Sequence, residues 1–275
     1  MKVFIEGVGI VGPGLNGWSA SQVILSGTAT YVQAALAIPP SNLLPSAERR
    51  RTGVPVKLAI AIGCEAIAQS QRNPSELPAV FASSAGDGDN MHCIFEMLSQ
   101  NGREVSPTRF HNSVHNAPSG YWSIATKSMA PSTSVACFDA SFVAGLIEAT
   151  TQTMSSGDAV VLMAYDATYP QPLHAARPIS ASFGVALVLN SLKTDRSLAK
   201  LELDIRRSSH ASTSLANTER EALRVGTPAA RSLPLLVSLA TLSSEKSQAP
   251  ENIARAKIYF DYIAGNQLEV MVAPC

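Results

Sequence analysis

Three side chains able to attack a carbonyl or hold a charge fall close together in this sequence: Cys137, Asp139 and Ser141. They lie in the segment PSTSVACFDASFVAGLIEA (131–149), where a run rich in β-formers turns abruptly into an amphipathic helix. A group at such a turn sits at the positive end of the new helix, which favours a thiolate or a carboxylate. Cys137 or Ser141 could serve there as the nucleophile of an acyl transfer. His111 and His115 stand four apart in FHNSVHN, a spacing that suits a metal on a helix. No carboxylate or cysteine joins them, and Asn112, Asn116 and Pro118 break the helical context, so no metal site is expected. GVGIVG (Gly7, Gly9, Gly12) has the form of a dinucleotide fingerprint, which also needs a helix at the third glycine and an acid about 20 residues on. Pro13 and Gly14 follow instead, and the next acid is Glu48. The glycines are therefore expected to serve a tight turn, and no cofactor is implied.

The elements that position these residues come from the pattern of charge and hydrophobicity. The chain has 275 residues, 46% of them hydrophobic, with 21 basic and 21 acidic side chains. Zero net charge argues against a nucleic-acid or anionic-membrane partner. No stretch approaches the ~18 consecutive apolar residues of a membrane helix. MKVFIEGVGIV carries Glu6 inside its apolar run and reads as a strand, not a signal peptide. Cys64, Cys93, Cys137 and Cys275 are scattered, without a CxxC pair, so neither zinc nor a disulfide framework is indicated. A cytoplasmic location is expected. Residues 1–192 hold 10 basic and 12 acidic side chains, whereas the last 83 residues hold 11 and 9. Residues 7–47 have no charge at all, which fits a deeply buried sheet or a large permanent subunit interface. Arg49, Arg50 and Arg51 border that segment, as a solvated turn or a docking contact for an acidic partner.

Strand-like runs cover 3–11, 78–83, 132–137, 159–165, 183–190, 199–204 and 268–273. Helical runs cover 54–71, 90–99, 119–128 and 141–155. Unbroken apolar strands such as AVVLMAY suit a sheet covered on both faces, and the alternation argues a layered α/β fold with a largely parallel core. The charge shift near 193 marks a division into 1–192 and 193–275, packed together as one compact unit.

The segment 131–149 resembles the active-site elbow of the β-ketoacyl synthases, in which P-S-x-S-x-x-x-A-C-x-S leads a nucleophilic cysteine into a buried helix. Other segments resemble the family in the right order. FIEGVGIVGPGLNGWSASQVILSG is similar to its opening strand, turn and first helix, and ERRRTGVPVKLAIAIGCEAIAQS to its arginine-bearing segment. FHNSVHNAPSGYWSIATKS is similar to its dimer-contact loop and helix, and SGDAVVLMAYDA and SFGVALVLN to the strands after the elbow. The resemblance covers about 1–192. It implies a thiolase-like αβαβα layered fold with a shortened, degenerate C-terminal half. It also implies dimerisation through Phe110, His111, Asn112, Val114, Tyr121 and Trp122 and through the strand Ser132, Thr133, Ser134, Val135, Ala136 and Cys137.

Two departures from the family pattern decide the expected chemistry. Aligned on Pro131, Ser132, Ser134, Ala136 and Ala149, the nucleophile position holds Asp139, and Cys137 falls two residues early. A condensing enzyme stores its chain as a thioester, and an aspartate could form only a labile mixed anhydride. The C-terminal region lacks both of the family's histidine motifs and holds only His210, read as a surface residue. The resemblance therefore implies a non-catalytic chain length factor, as in aryl polyene type II polyketide systems. Such a subunit forms an obligate heterodimer with a catalytic ketosynthase, alone or as a dimer of heterodimers, and meets acyl carrier protein through the complex. Phe110, Tyr121 and Trp122 are then candidates for the acyl-tunnel floor, Arg49–Arg51 for carrier docking, and a charge at Val135 should abolish the complex. The alternatives are a free-standing acyl-transfer enzyme using Cys137 or Ser141, and a carrier-binding module.

Overall fold

The computed structural model describes residues 1–207, 210–248, 255–263 and 265–275. β1 (Lys2–Gly12) turns into the two-residue β2 (Leu15–Asn16) and helix α1 (Trp18–Leu25). α2 (Ser46–Arg51), α3 (Val54–Ser70), β3 (Ala79–Ala82), α4 (Gly88–Ser99), α5 (Pro107–Asn112) and α6 (Ala117–Thr126) follow. β4 (Ser132–Val135), a 3-10 turn at Phe138–Ala140 and α7 (Ser141–Ser156) form the elbow. Then come β5 (Val160–Asp166), the short α8 (Leu173–Ala176) and β6 (Phe183–Asn190). The C-terminal region has β7 (Ala199–Arg207), α9 (Thr218–Gly226), a 3-10 turn at Ala229–Ser232, α10 (Leu233–Gln248) and the hairpin β8 (Ala256–Asp261) and β9 (Asn266–Ala273).

One continuous sheet runs β4-β3-β5-β6-β1-β7-β9-β8, with β2 folded back on β1. Only β3–β4 and β3–β5 are parallel; every other pairing is antiparallel. The largely parallel core expected from the sequence is thus a mixed sheet. Apolar runs such as that of β5 report burial on both faces, which says nothing of strand direction.

Helices α3 and α6 cover one face of the N-terminal strands, and α7, α10 and α1 cover the other. Strands β7, β9 and β8 continue the sheet and close over α7 and α10, where Phe260 meets Phe142 edge-on at 5.8 Å. Their outward face carries Lys200–Glu202 (2.8 Å), Arg206–Asp204 (2.6 Å) and Lys257–Glu269 (2.9 Å). Among the described residues, these ion pairs stand where a fifth, outer helical layer would lie. The fold is thiolase-like, with the shortened C-terminal half that the resemblance implied. No described helix is long and apolar enough to cross a membrane.

The glycines of GVGIVG do different work from that expected. They lie within β1, where a Cβ on Gly7 or Gly9 would come within 2.0 Å of Ala66 O or 2.1 Å of Ile62 O. Helix α3 is therefore seated directly on the strand, and the motif is a packing surface. The turn proper uses Gly14 and Gly17, at φ 70° and 80°. Glu65 of α3 fixes it by accepting from the backbone N–H of Ile10 (2.9 Å) and of Trp18, which opens α1. Glu6 is buried in β1 and accepts from Arg72 (2.6 Å), Thr194 (2.6 Å) and Asn190 (2.9 Å). Burial opposes its charge, but those bonds together hold its carboxyl below the usual value.

Candidate functional site

The chain leaves β4 at Val135 and enters α7 through a tight elbow. The Cys137 N–H donates to Ser141 Oγ (2.9 Å), and that hydroxyl donates onward to Phe138 O (2.7 Å). Ser141 is buried and its hydroxyl is bonded to the backbone on both sides of the elbow. Cys137 is half-buried. Phe138 adopts φ 50°, a conformation costly for a side chain bearing a Cβ, yet its ring is 63% exposed.

Asp139 is the most heavily bonded side chain of the elbow. Its Oδ1 takes Arg177 Nη2 at 2.6 Å and its Oδ2 takes Arg231 Nη2 at 2.9 Å. The Arg177 guanidinium also lies 3.5 Å from the Phe138 ring centroid. Both carboxylate oxygens are thereby occupied by charge-assisted hydrogen bonds to guanidinium groups. Neither arginine was visible as a partner in the sequence, since they stand 38 and 92 residues from Asp139 with no local motif.

A second carboxylate organises the floor behind the elbow. Asp166, at the end of β5, accepts from Ser84 Oγ (2.6 Å), Ser84 N (2.8 Å), Ser83 Oγ (3.3 Å) and Ala229 N (2.8 Å). It thereby anchors the same 3-10 turn that carries Arg231. Burial pushes its carboxyl up to about 6, against the opposing pull of those donors. Folded Asp166 thus keeps its proton to higher pH than the unfolded chain does, from a reference value of 3.8. The stability this group confers should be fullest below about pH 4 and fall by on the order of 3 kcal/mol as pH rises to about 6. Urea midpoints at pH 4 to 7 should show that slope flattened in Asp166→Asn; identical profiles would show that the carboxyl titrates normally.

The implied interface residues separate into two groups. Phe110 (69% exposed), Val114, Ile124 and the exposed His111 line an open groove of about 480 Å³ between α5 and α6. Tyr121 and Trp122 do not project toward a partner: both are buried in the core formed with α3. Tyr121 reaches the groove by one edge and donates to Asn112 Oδ1 (3.0 Å), while buried Asn112 donates to Arg51 O (2.9 Å). Of the three floor candidates, Phe110 is the one that the chain leaves exposed.

Strand β4 is the end strand of the sheet. Pro131 O and Val135 O accept from Ala79 and Ser83 of the β3 side, so the N–H and C=O of Ser132 and Ser134 point to the open edge. Thr133 turns its side chain to Gln152 of α7 (2.9 Å), Val135 packs into the core beneath, and Ala136 is exposed.

The arginine cluster is α2. Arg49 is tied to Ser41 O and Asn42, Arg51 pairs with Glu48 at 3.3 Å, and Arg50 is exposed. His115 bonds Ser83 O (3.0 Å) and His111 meets Tyr121 edge-on at 6.4 Å, so the two rings do not converge. Among the described residues no group of three or more metal-ligating side chains stands together. His210 is exposed beside Tyr259, with ring centroids 4.8 Å apart.

Comparison with solved structures finds this arrangement of elements in ketosynthase complexes. The chain is similar to the ketosynthase ApeO in complex with its chain length factor ApeC from Xenorhabdus doucetiae, at 21% identity and TM-score 0.71, covering 98% of this chain and 99% of that one. It is similar at 13% identity and TM-score 0.71 to the ishigamide ketosynthase/chain length factor, covering 99% of each chain. AntDE:AntF, a type II acyl carrier protein in complex with its ketosynthase, matches at 13% identity and TM-score 0.76, covering 100% of this chain and 99% of that one. No curated protein matches. The family model for the β-ketoacyl synthase N-terminal domain matches residues 18–248. An elbow at the end of an edge strand, a buried helix behind it and a family match over most of its length lead to one conclusion: the chain belongs to the β-ketoacyl synthase family.

Proposed function

We propose that this chain is a non-catalytic subunit of the chain-length-factor type, which forms an obligate heterodimer with an intact β-ketoacyl synthase and shapes its acyl tunnel. The observation that carries the reading is the double clamp on Asp139 at the position the resemblance assigns to the nucleophile. A carboxylate at this position has no thiol with which to store an acyl chain as a thioester. The solved relatives named as ketosynthase and chain length factor complexes support the same reading, as does the one that includes a carrier protein. The pathway class is polyene or polyketide assembly of the fatty-acid type, with aryl polyenes the specific expectation, in the cytoplasm. Residues 1–192 act as the ketoacyl-synthase-like half and 193–275 as a truncated second half packed on it. Arg49–Arg51 offer the carrier a basic contact, and heterodimers pairing into a larger assembly is part of the proposal.

The decisive experiment is co-expression with an intact ketosynthase, followed by size-exclusion chromatography and intact mass spectrometry after incubation with an acyl-carrier thioester. The expected result is a 1:1 complex in which only the ketosynthase is acylated, and Asp139→Cys should not make this chain condense substrates. Acylation on Cys137 would favour the free-standing transferase, and carrier binding without a ketosynthase would favour the binding module.

Phe110 provides a product-level test. Its ring is the one bulky floor candidate that the chain does not bury itself. In the complex, Phe110→Ala should lengthen the products by one or more extension units, read by mass spectrometry. Unchanged products from an intact complex would remove Phe110 from the tunnel floor.

A further inference from the structure

Two properties of Phe138 do not follow from an inactive elbow alone. It holds φ 50°, a left-handed conformation that residues with a Cβ seldom adopt. It also leaves a large apolar ring 63% exposed. Such a conformation persists only where the surroundings over-determine it, and here they do. One face of the ring is covered by the Arg177 guanidinium at 3.5 Å. That guanidinium is pinned by Asp139 Oδ1 at 2.6 Å, and Asp139 is pinned from its other oxygen by Arg231 at 2.9 Å. Beneath the ring, the Ser141 hydroxyl ties Phe138 O to the Cys137 N–H. Three segments far apart in sequence thus converge to fix one exposed aromatic, with its second face open.

We propose that Asp139, Arg177 and Arg231 form an ion lock that presents the Phe138 ring as an apolar anchor for the ketosynthase subunit. The proposal rests on the partner reading above and adds a residue to it. The occupant is chosen by continuity: Phe138 stands three residues beyond β4, whose open edge ends the sheet, so a subunit seated along that edge runs onto the ring. A pre-ordered aromatic loses little freedom on binding, which is what makes rigid rings effective anchors. The lock has a second consequence, since an elbow that carries an anchor has no need of a nucleophile.

The test measures affinity and elbow mobility separately. Phe138→Ala should weaken association with the ketosynthase by about tenfold or more, without changing hydrogen exchange in residues 133–143 of this chain. Phe138→Leu should recover part of the affinity. Asp139→Asn should speed exchange several-fold in 133–143 and around Arg177 and Arg231, and weaken association in parallel. Wild-type affinity in Phe138→Ala overturns the anchor. Longer products at unchanged affinity also overturn it, because the ring would then face the acyl chain. Unchanged exchange in Asp139→Asn overturns the lock. A wild-type chain that binds no ketosynthase overturns the partner reading and the anchor together, and exchange in the isolated chain then decides the lock.

Discussion

Replacing Ser134 with proline should abolish the proposed complex with an intact ketosynthase while leaving the chain's own sheet standing. The parallel pairing of β4 with β3 uses Thr133 and Val135 on the inner side, so the N–H of Ser134 points outward. Proline there removes a donor that only a neighbouring strand can use, and Thr133 before it is already extended as proline requires. In the family, this strand pairs with its counterpart across the two-fold axis. Losing that pairing and crowding the edge with a ring should cost affinity roughly 100-fold or more. Chromatography of the co-expressed pair reads the loss, and thermal unfolding of the variant checks the fold. A 1:1 complex of wild-type affinity would remove β4 from the interface.

Val135→Asp, the change that the sequence recommends, is a poorer probe. Val135 packs into the core over α7, and a Cβ on Gly145 would lie 3.8 Å from its Cγ2. A charge there would damage the subunit and the interface together. That residues 132–135 form a strand was legible in their composition, but which of them faces outward was not.

Gly9→Ala, like Gly7→Ala, should be among the most damaging single methyl groups that can be added to the chain. Its Cβ would sit 2.1 Å from Ile62 O, inside the contact between β1 and α3. The obstacle is backbone in the middle of a helix, which cannot step aside as a side-chain tip can. Overpacking of this kind costs about 3 kcal/mol or more, a large share of a domain's stability. Gly102→Ala is the matched control, because nothing lies within 4 Å of the added carbon. Denaturant midpoints and soluble yield should separate the two clearly. Equal stability would mean that α3 can lift off β1, contrary to the geometry.

Elements whose signal is local were legible. β1, β5, β6, α3 and α7 fall where hydrophobic runs and terminal signals put them, and Phe183–Asn190 agrees to the residue. Helix α10 and strand β8 escaped notice. None of the helix from Leu233 to Glu245 is exposed, so it has no polar face to give it a period. Asp139 was found by spacing within one motif, whereas Arg177 and Arg231 reach it only through tertiary folding. The burial of the aromatic pair within this chain was not legible for a related reason. Tyr121 and Trp122 carry the composition of an interface core, and composition cannot distinguish a partner's core from the chain's own.

The position of β1 in the sheet fixes an order of events at the ribosome. Residues 2–12 are made before every other strand of the sheet, yet β1 lies in its middle and pairs with β6 and β7, at residues 183–207. At ~5–20 residues per second, the nascent strand waits about 10–40 s before either neighbour exists. Through that interval two long apolar edges are open to wrong partners. A release at residue 192 would leave one of them open for good, because β7 closes it. β7 is therefore the closing piece of β1, and synthesis must pass residue 207 before both edges of that strand are covered.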